Sequence, residues 1–136
     1  MTTKTYQGSC HCGRVKFEAD IDLAAGTAKC NCTFCTKARL WGVIIKPAAF
    51  RLKSGEKDLQ DYQASGQGPV HHLFCRHCGV RSFERGFVKE MGGDYVTVNV
   101  ACLDNLDLDE LAVAPVTYMD GRNDQWMQRP KDTRTM

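Results

Sequence analysis

No apolar run in these 136 residues approaches the length needed to span a membrane. The opening residues, Met1-Thr2-Thr3-Lys4-Thr5, lack the apolar core of an export signal. Basic residues form no block or stripe: 18 Lys and Arg are interspersed with 16 Asp and Glu, for a net charge of +2. A surface dedicated to nucleic acid would show such a block, so neither nucleic acid nor membrane is expected as a partner. Internal repeats and linker-like shifts of composition are absent too. One domain over residues 1–136 is therefore expected, with a polar, frayed stretch at about 128–136. Reduced thiols in a chain without an export signal fit the cytoplasm.

What the sequence does have is cysteine. Seven of the eight fall in three clusters: Cys10-His11-Cys12, Cys30-Asn31-Cys32 with Cys35, and Cys75-Arg76-His77-Cys78. A closed structural zinc site takes four ligands, whereas a catalytic one keeps three protein ligands and an open position. If no cluster is split, the two pairs sum to four and the triplet stands alone. Counting then predicts one closed zinc and a second zinc held by Cys30, Cys32 and Cys35 with a vacant fourth position. Disulfides are the alternative, but Cys-x-Cys is too close for an easy bridge, and the cysteine density is below that of a small disulfide scaffold. Redox use of a Cys-x-x-Cys pair is a second alternative, which three clusters weigh against.

Gly13 follows Cys12 and Gly79 follows Cys78, as a tight metal knuckle requires, which supports the two pairs sharing one metal. Residues 14–19 alternate polar and apolar, the period of a half-buried strand. Further strands are expected at 28–32, 40–45 (buried), 50–53, 59–63, 70–74, 81–87, 94–101 and 116–119. Within 94–101, Val96, Val98 and Val100 should line one face, and Tyr95, Thr97 and Asn99 the other. Helix should be scarce: one turn at 33–39 with Thr33 as its cap, and an irregular or helical piece at 103–111. Loops are expected at 65–69 and 120–123. The sum is a mainly β fold of several short antiparallel sheets, clipped by zinc.

Taken together, these motifs resemble the family of glutathione-dependent formaldehyde-activating enzymes, which includes the centromere protein V domain. The resemblance is carried by Gly8-Ser9-Cys10-His11-Cys12-Gly13, Cys30-Asn31-Cys32-Thr33-Phe34-Cys35 and Phe50-Arg51-Leu52-Lys53-Ser54-Gly55. It continues through His72-Leu73-Phe74-Cys75-Arg76-His77-Cys78-Gly79-Val80, Val98-Asn99-Val100-Ala101-Cys102-Leu103-Asp104 and Asp120-Gly121-Arg122-Asn123. It spans about residues 6–126. The resemblance implies a β-tent fold, shared with a Rab-accessory class of zinc proteins. It also implies a structural zinc on Cys10, Cys12, Cys75 and Cys78, a catalytic zinc on Cys30, Cys32 and Cys35, and carbon–sulfur lyase or glutathione-adduct chemistry.

A zinc held by three thiolates is a weak Lewis acid for water but suits a thiol, whose deprotonation coordination drives. A thiol is thus the expected co-substrate, which the resemblance implies is glutathione, adding to or leaving from an electrophilic carbon. Lys29, Lys37 and Arg39 lie near the triplet in sequence and could offset charge on sulfur or bind carboxylates, although solvated surface bases are common. His72 is the leading choice for a base, but Cys75 three residues on should face the other way, which favours a structural hydrogen bond. His11 and His77 should point outward from their knuckles, and His71 has no assigned role. Cys102 reads as a small buried residue with an option to approach the second zinc. Asn99 and Asp104 could orient substrate, while Tyr62, Trp41 and Phe34 read as core or pocket wall. The rival to an enzyme is an interaction module in which both zincs are structural, and a thiol redox switch at the triplet is a third reading.

Overall fold

The structure is a computed structural model that describes residues 3–66 and 68–136. Met1, Thr2 and Gln67, which carry part of the expectations for the first residues and for the loop at 65–69, lie outside the described residues. Ten strands run in chain order: β1 (Lys4–Ser9), β2 (Lys16–Ile21), β3 (Thr27–Cys30), β4 (Gly42–Ile45), β5 (Phe50–Ser54), β6 (Leu59–Tyr62), β7 (His71–Cys75), β8 (Phe83–Val88), β9 (Gly93–Asn99) and β10 (Val116–Met119). Among the described residues two short α-helices interrupt them, α1 (Thr33–Ala38) and α2 (Leu108–Ala112). The fold is mainly β, as expected. Among the described residues no helix is long and apolar enough to cross a membrane.

The strands form two sheets, a three-stranded β1-β2-β5 and a seven-stranded β10-β3-β4-β9-β8-β7-β6. In β2 the alternation buries Phe17, Ala19 and Ile21 and leaves Lys16, Glu18 and Asp20 outside. Phe17 from β2, Phe50 from β5 and Phe83 from β8 meet with ring centroids 5.4, 6.2 and 4.5 Å apart, which joins the two sheets. Burying a Phe is worth about 1.5–3 kcal/mol, so this trio is a main tie between the layers.

Four expectations are corrected. The large sheet is mixed, because β10 pairs with β3 in parallel, Val116 with Thr27 through Met119 with Cys30. The chain has passed through six other strands before it returns to that edge, so no hairpin dictates an antiparallel partner. The strand expected at 94–101 stops at Asn99, whose side-chain oxygen accepts from Ala101 N at 3.2 Å and starts a 3-10 turn, Val100–Cys102. Val96, Val98 and Val100 are buried as expected, but Thr97 on the opposite face is buried too. In β4, Val43 is buried while Ile44 is exposed, so that strand is covered on one face and not on both.

The last correction concerns the polar stretch at 128–136, which is not frayed. Gln128 O accepts from Asp120 N at 3.0 Å, Pro130 is buried, and the Arg129 guanidinium sits 4.7 Å from the Tyr118 ring centroid. From there the segment folds back to Arg39, whose Nη1 donates to Thr135 O at 3.1 Å.

Candidate functional site

The sulfurs of Cys10, Cys12, Cys75 and Cys78 all lie within 4.8 Å of one another. Two of their separations, Cys10–Cys12 and Cys12–Cys75, are 3.7 Å. A tetrahedron with metal–sulfur bonds of about 2.3 Å has edges of about 3.8 Å, so the four sulfurs fit one metal ion. Each pair sits on a knuckle with backbone N–H groups aimed at sulfur: Val15 N donates to Cys10 Sγ and His77 N to Cys75 Sγ, both at 3.4 Å. Gly13 and Gly79 both hold positive φ, 82° and 78°, the left-handed turn that closes each knuckle. Burial works against the Cys78 thiolate, but N–H groups of Val80 and Cys12 and the thiols of Cys75 and Cys10 bring its pKa down to about 6.

The second cluster, Cys30, Cys32 and Cys35, also has its three sulfurs within 4.8 Å. Cys30 ends β3, and Cys32 is the N-cap of α1 in place of the expected Thr33, with its sulfur accepting from Cys35 N at 3.3 Å. A sulfur at the cap satisfies a free helix N–H and at the same time brings Cys32 and Cys35 to one side. Cys32 N donates to Cys30 Sγ at 3.3 Å in the same manner. The Cys30 and Cys35 thiols, with backbone N–H groups, hold the Cys32 thiol down, while Cys30, Cys32 and burial push Cys35 up. Three sulfurs within reach of one ion are a donor set that suits a soft metal.

A second loop braces this cluster, and the parallel pairing of β3 with β10 brings it there. Met119 aligns with Cys30, so the chain after β10 lies across the chain after β3. Asn31 N donates to Met119 O at 3.2 Å, and Asn31 Nδ2 to Asp120 Oδ1 at 2.9 Å. Arg122 returns the contact, with its N–H on Asn31 Oδ1 at 2.9 Å and its Nε on Asn31 O at 3.0 Å. Asp120 is buried, and the amides of Asn123 and Asn31 lower its pKa. At Gly121 a Cβ would come within 2.5 Å of both Cys30 Sγ and the Trp126 ring, so the two loops touch where only hydrogen fits. The sequence reading took 120–123 as a turn and missed Asn31, Asp120, Gly121 and Arg122 as site residues. The signal available was the motif Asp120-Gly121-Arg122-Asn123 for three of them, and for Asn31 its place between Cys30 and Cys32.

Beside the triplet lies a cavity of about 340 Å³, into which Cys30, Cys35, Lys29, Arg39, Trp41 and Arg122 face. Lys29 Nζ rests 4.7 Å over the Trp41 ring, and Trp41 Nε1 donates to Thr27 Oγ1 at 2.8 Å. Arg39 follows α1 in the left-handed conformation, φ 54°, an uncommon backbone for a residue with a side chain. Lys37 is exposed and does not line this cavity.

The other expected residues are placed elsewhere. His72 packs on Phe34 of α1, ring centroids 4.0 Å apart, with Tyr62 stacked on Phe34 at 5.6 Å. Glu84 Oε2 accepts from His72 Nδ1 and from Arg81 Nη1, each at 2.7 Å, so His72 has the structural hydrogen bond expected of it. His77 pairs with Asp58 at 2.7 Å and His71 with Asp61 at 2.5 Å, both half exposed, and His11 is exposed. Asp104 accepts from Ser9 Oγ at 2.6 Å, and Asn99 Nδ2 donates to Arg81 O at 3.1 Å, so neither faces the triplet cavity. Cys102 does not join the triplet. It is buried with its sulfur 3.9 Å from Arg81 O, and burial pushes its thiol up.

Fold and site together define a small mainly β protein with two cysteine clusters, of four and three sulfurs, each able to hold a metal ion. A family model described as glutathione-dependent formaldehyde-activating enzyme matches residues 5–126, and the chain belongs to that family. It is also similar to a Rhodobacter sphaeroides protein of known crystal structure, a structural-genomics target. The identity is 28% and the TM-score 0.66, with 82% of this chain and 99% of that chain covered.

Proposed function

We propose that the chain is a single-domain, zinc-dependent carbon–sulfur lyase or glutathione-adduct enzyme of the cytoplasm. Cys10, Cys12, Cys75 and Cys78 would hold a structural zinc, and Cys30, Cys32 and Cys35 a catalytic one. The observation that carries this reading is the contrast between the clusters. Four sulfurs close one site, while three sulfurs edge a cavity, and among the described residues no fourth His, Cys, Asp or Glu joins them. Bound at the triplet, zinc supplies a soft Lewis acid that keeps a thiol in its thiolate form.

The chain's own groups fit a thiol that carries carboxylates. Lys29, Arg39 and Arg122 bring three positive charges to the cavity and Asp132 one negative charge. Arg122 is held flat along the triplet loop by Asn31 O, so its charge is positioned before a ligand arrives. Trp41 and Leu40 add an apolar wall. The volume, about 340 Å³, falls in the range of small-molecule sites. Family membership supports glutathione, or its adduct with a small aldehyde, as the substrate class.

The test is metal content and activity in three proteins prepared without oxygen. Wild type should carry about two zincs per chain. Cys32→Ser should lose activity towards glutathione adducts and loosen one zinc while staying folded. Cys75→Ser should unfold, because a structural zinc contributes folding free energy directly. Equal unfolding by both changes, or a wild type indifferent to glutathione, would leave an interaction module with two structural metals.

A further inference from the structure

The cavity beside the triplet is built from two parts of the chain with different standing. Its inner side, with Cys30, Cys35, Lys29 and Trp41, lies within residues 5–126, the span that matches the family. Its outer side is Asp132, Thr135 and Met136, from beyond that span. We infer that residues 132–136 are the outer wall of the ligand site and set the largest ligand this protein accepts. The inference rests on the reading of the triplet as the ligand site.

The wall has a defined shape and a light attachment. Its root is firm, with Pro130 buried, Arg129 on the Tyr118 ring, and Gln128 O paired with Asp120 N. Its far end is folded on itself: the Arg134 guanidinium makes two bonds to the Asp132 carboxylate at 2.9 and 2.8 Å, its backbone N–H a third at 3.0 Å, and Met136 N donates to Thr133 O at 3.1 Å. Across the cavity mouth, its one hydrogen bond among the described residues is Arg39 Nη1 to Thr135 O. Asp132 is paired with Arg134, which offsets part of its charge beside Lys29 and Arg122.

Size then follows from volume. At about 340 Å³ the cavity is near the small end for small-molecule sites. A tripeptide thiol of about 20 non-hydrogen atoms takes most of such a space, with room for a one-carbon group on sulfur. In the inferred arrangement a long alkyl or aryl group on sulfur competes with the wall for this space. The wall therefore disfavours bulky S-substituents relative to small ones.

The experiment compares wild type with the double variant Thr135→Gly, Met136→Gly, both zinc-loaded. Each is titrated with glutathione and with S-hexylglutathione, followed by tryptophan fluorescence. The expected result is a ratio of the two affinities that shifts towards the hexyl ligand by at least about tenfold, the discrimination one or two methylenes provide in an apolar pocket. An unchanged ratio overturns the wall. A second measurement does not depend on any ligand: acrylamide quenching in a Trp126→Phe background, which leaves Trp41 as the one tryptophan. Trimming the wall should raise quenching of Trp41, and equal quenching overturns the inference. If wild type binds neither probe while trimming still exposes Trp41, the wall stands and the proposed function falls.

Discussion

Replacing Gly121 by Ala tests the bracing of the triplet directly. The added carbon would stand 2.5 Å from Cys30 Sγ and 2.5 Å from a Trp126 ring carbon. Ordinary non-bonded contacts fall at about 3.5–4.0 Å, so each is short by at least about 1 Å. Trp126 is 46% exposed and can swing away. Cys30 cannot, since it ends β3 and its sulfur accepts from Cys32 N at 3.3 Å. The strain therefore falls on the sulfur. Overpacking of this kind costs about 1–3 kcal/mol, and disturbing the support of a metal ligand costs about 10–100-fold in affinity. The measurement is zinc competition against a chromophoric chelator, with a thermal melt of the same samples. Gly121→Ala should lose that factor at one zinc and keep the other unchanged. Adding Trp126→Ala should not restore it, because the clash with Cys30 remains. Two zincs held at wild-type affinity in Gly121→Ala would refute the assignment of Gly121 as the contact point.

Asp120→Ala leaves the amides of Asn31 and Asn123 without their acceptor, at a cost of about 1–3 kcal/mol in a denaturant melt, and should loosen the triplet metal alone. Phe83→Ala removes the ring that touches both Phe17 and Phe50, and should cost about 3–5 kcal/mol with both metal sites intact when folded. Arg51 and Thr5 hold the Asp20 carboxyl down at about 2, below its usual 3.8. A depressed carboxylate stabilises the fold above its unfolded pKa, and that share is lost as pH falls towards 2. Acid melts of Asp20→Asn should lack this part of the slope between about pH 4 and pH 2, and an unchanged slope would remove the pair from the account.

The cysteine grouping was legible because it is local. Spacings of two and three residues, with glycine after Cys12 and Cys78, describe knuckles that need no knowledge of the rest of the chain. Strand alternation was legible for the same reason, and it placed His72 in a hydrogen bond away from Cys75 before any partner was known. The partner itself, Glu84 with Arg81, was not legible, since the pairing of β7 with β8 sets it. Composition misled at 128–136. A polar run reads as frayed, yet one buried proline and one arginine on a tyrosine ring suffice to anchor it, and neither landing place is visible in the run itself.

The same distinction explains how this site is made. A triplet of cysteines within six residues can gather its sulfurs by local turns alone, but local turns do not orient an open position. Orientation comes from the pairing between β3 and β10, which sets Met119 opposite Cys30 and so carries Asp120, Gly121 and Arg122 onto the triplet loop. A parallel pair between distant segments closes a long loop at an entropic cost, which the rest of the fold has to offset. The four-sulfur cluster ties Cys10 and Cys12 to Cys75 and Cys78 and so holds the chain's two halves together. In the proposed reading the closed metal stabilises the frame, the frame aligns β10 with β3, and that alignment positions the open metal site. Loss of the first metal should therefore remove the second, whereas loss of the second should leave the first in place.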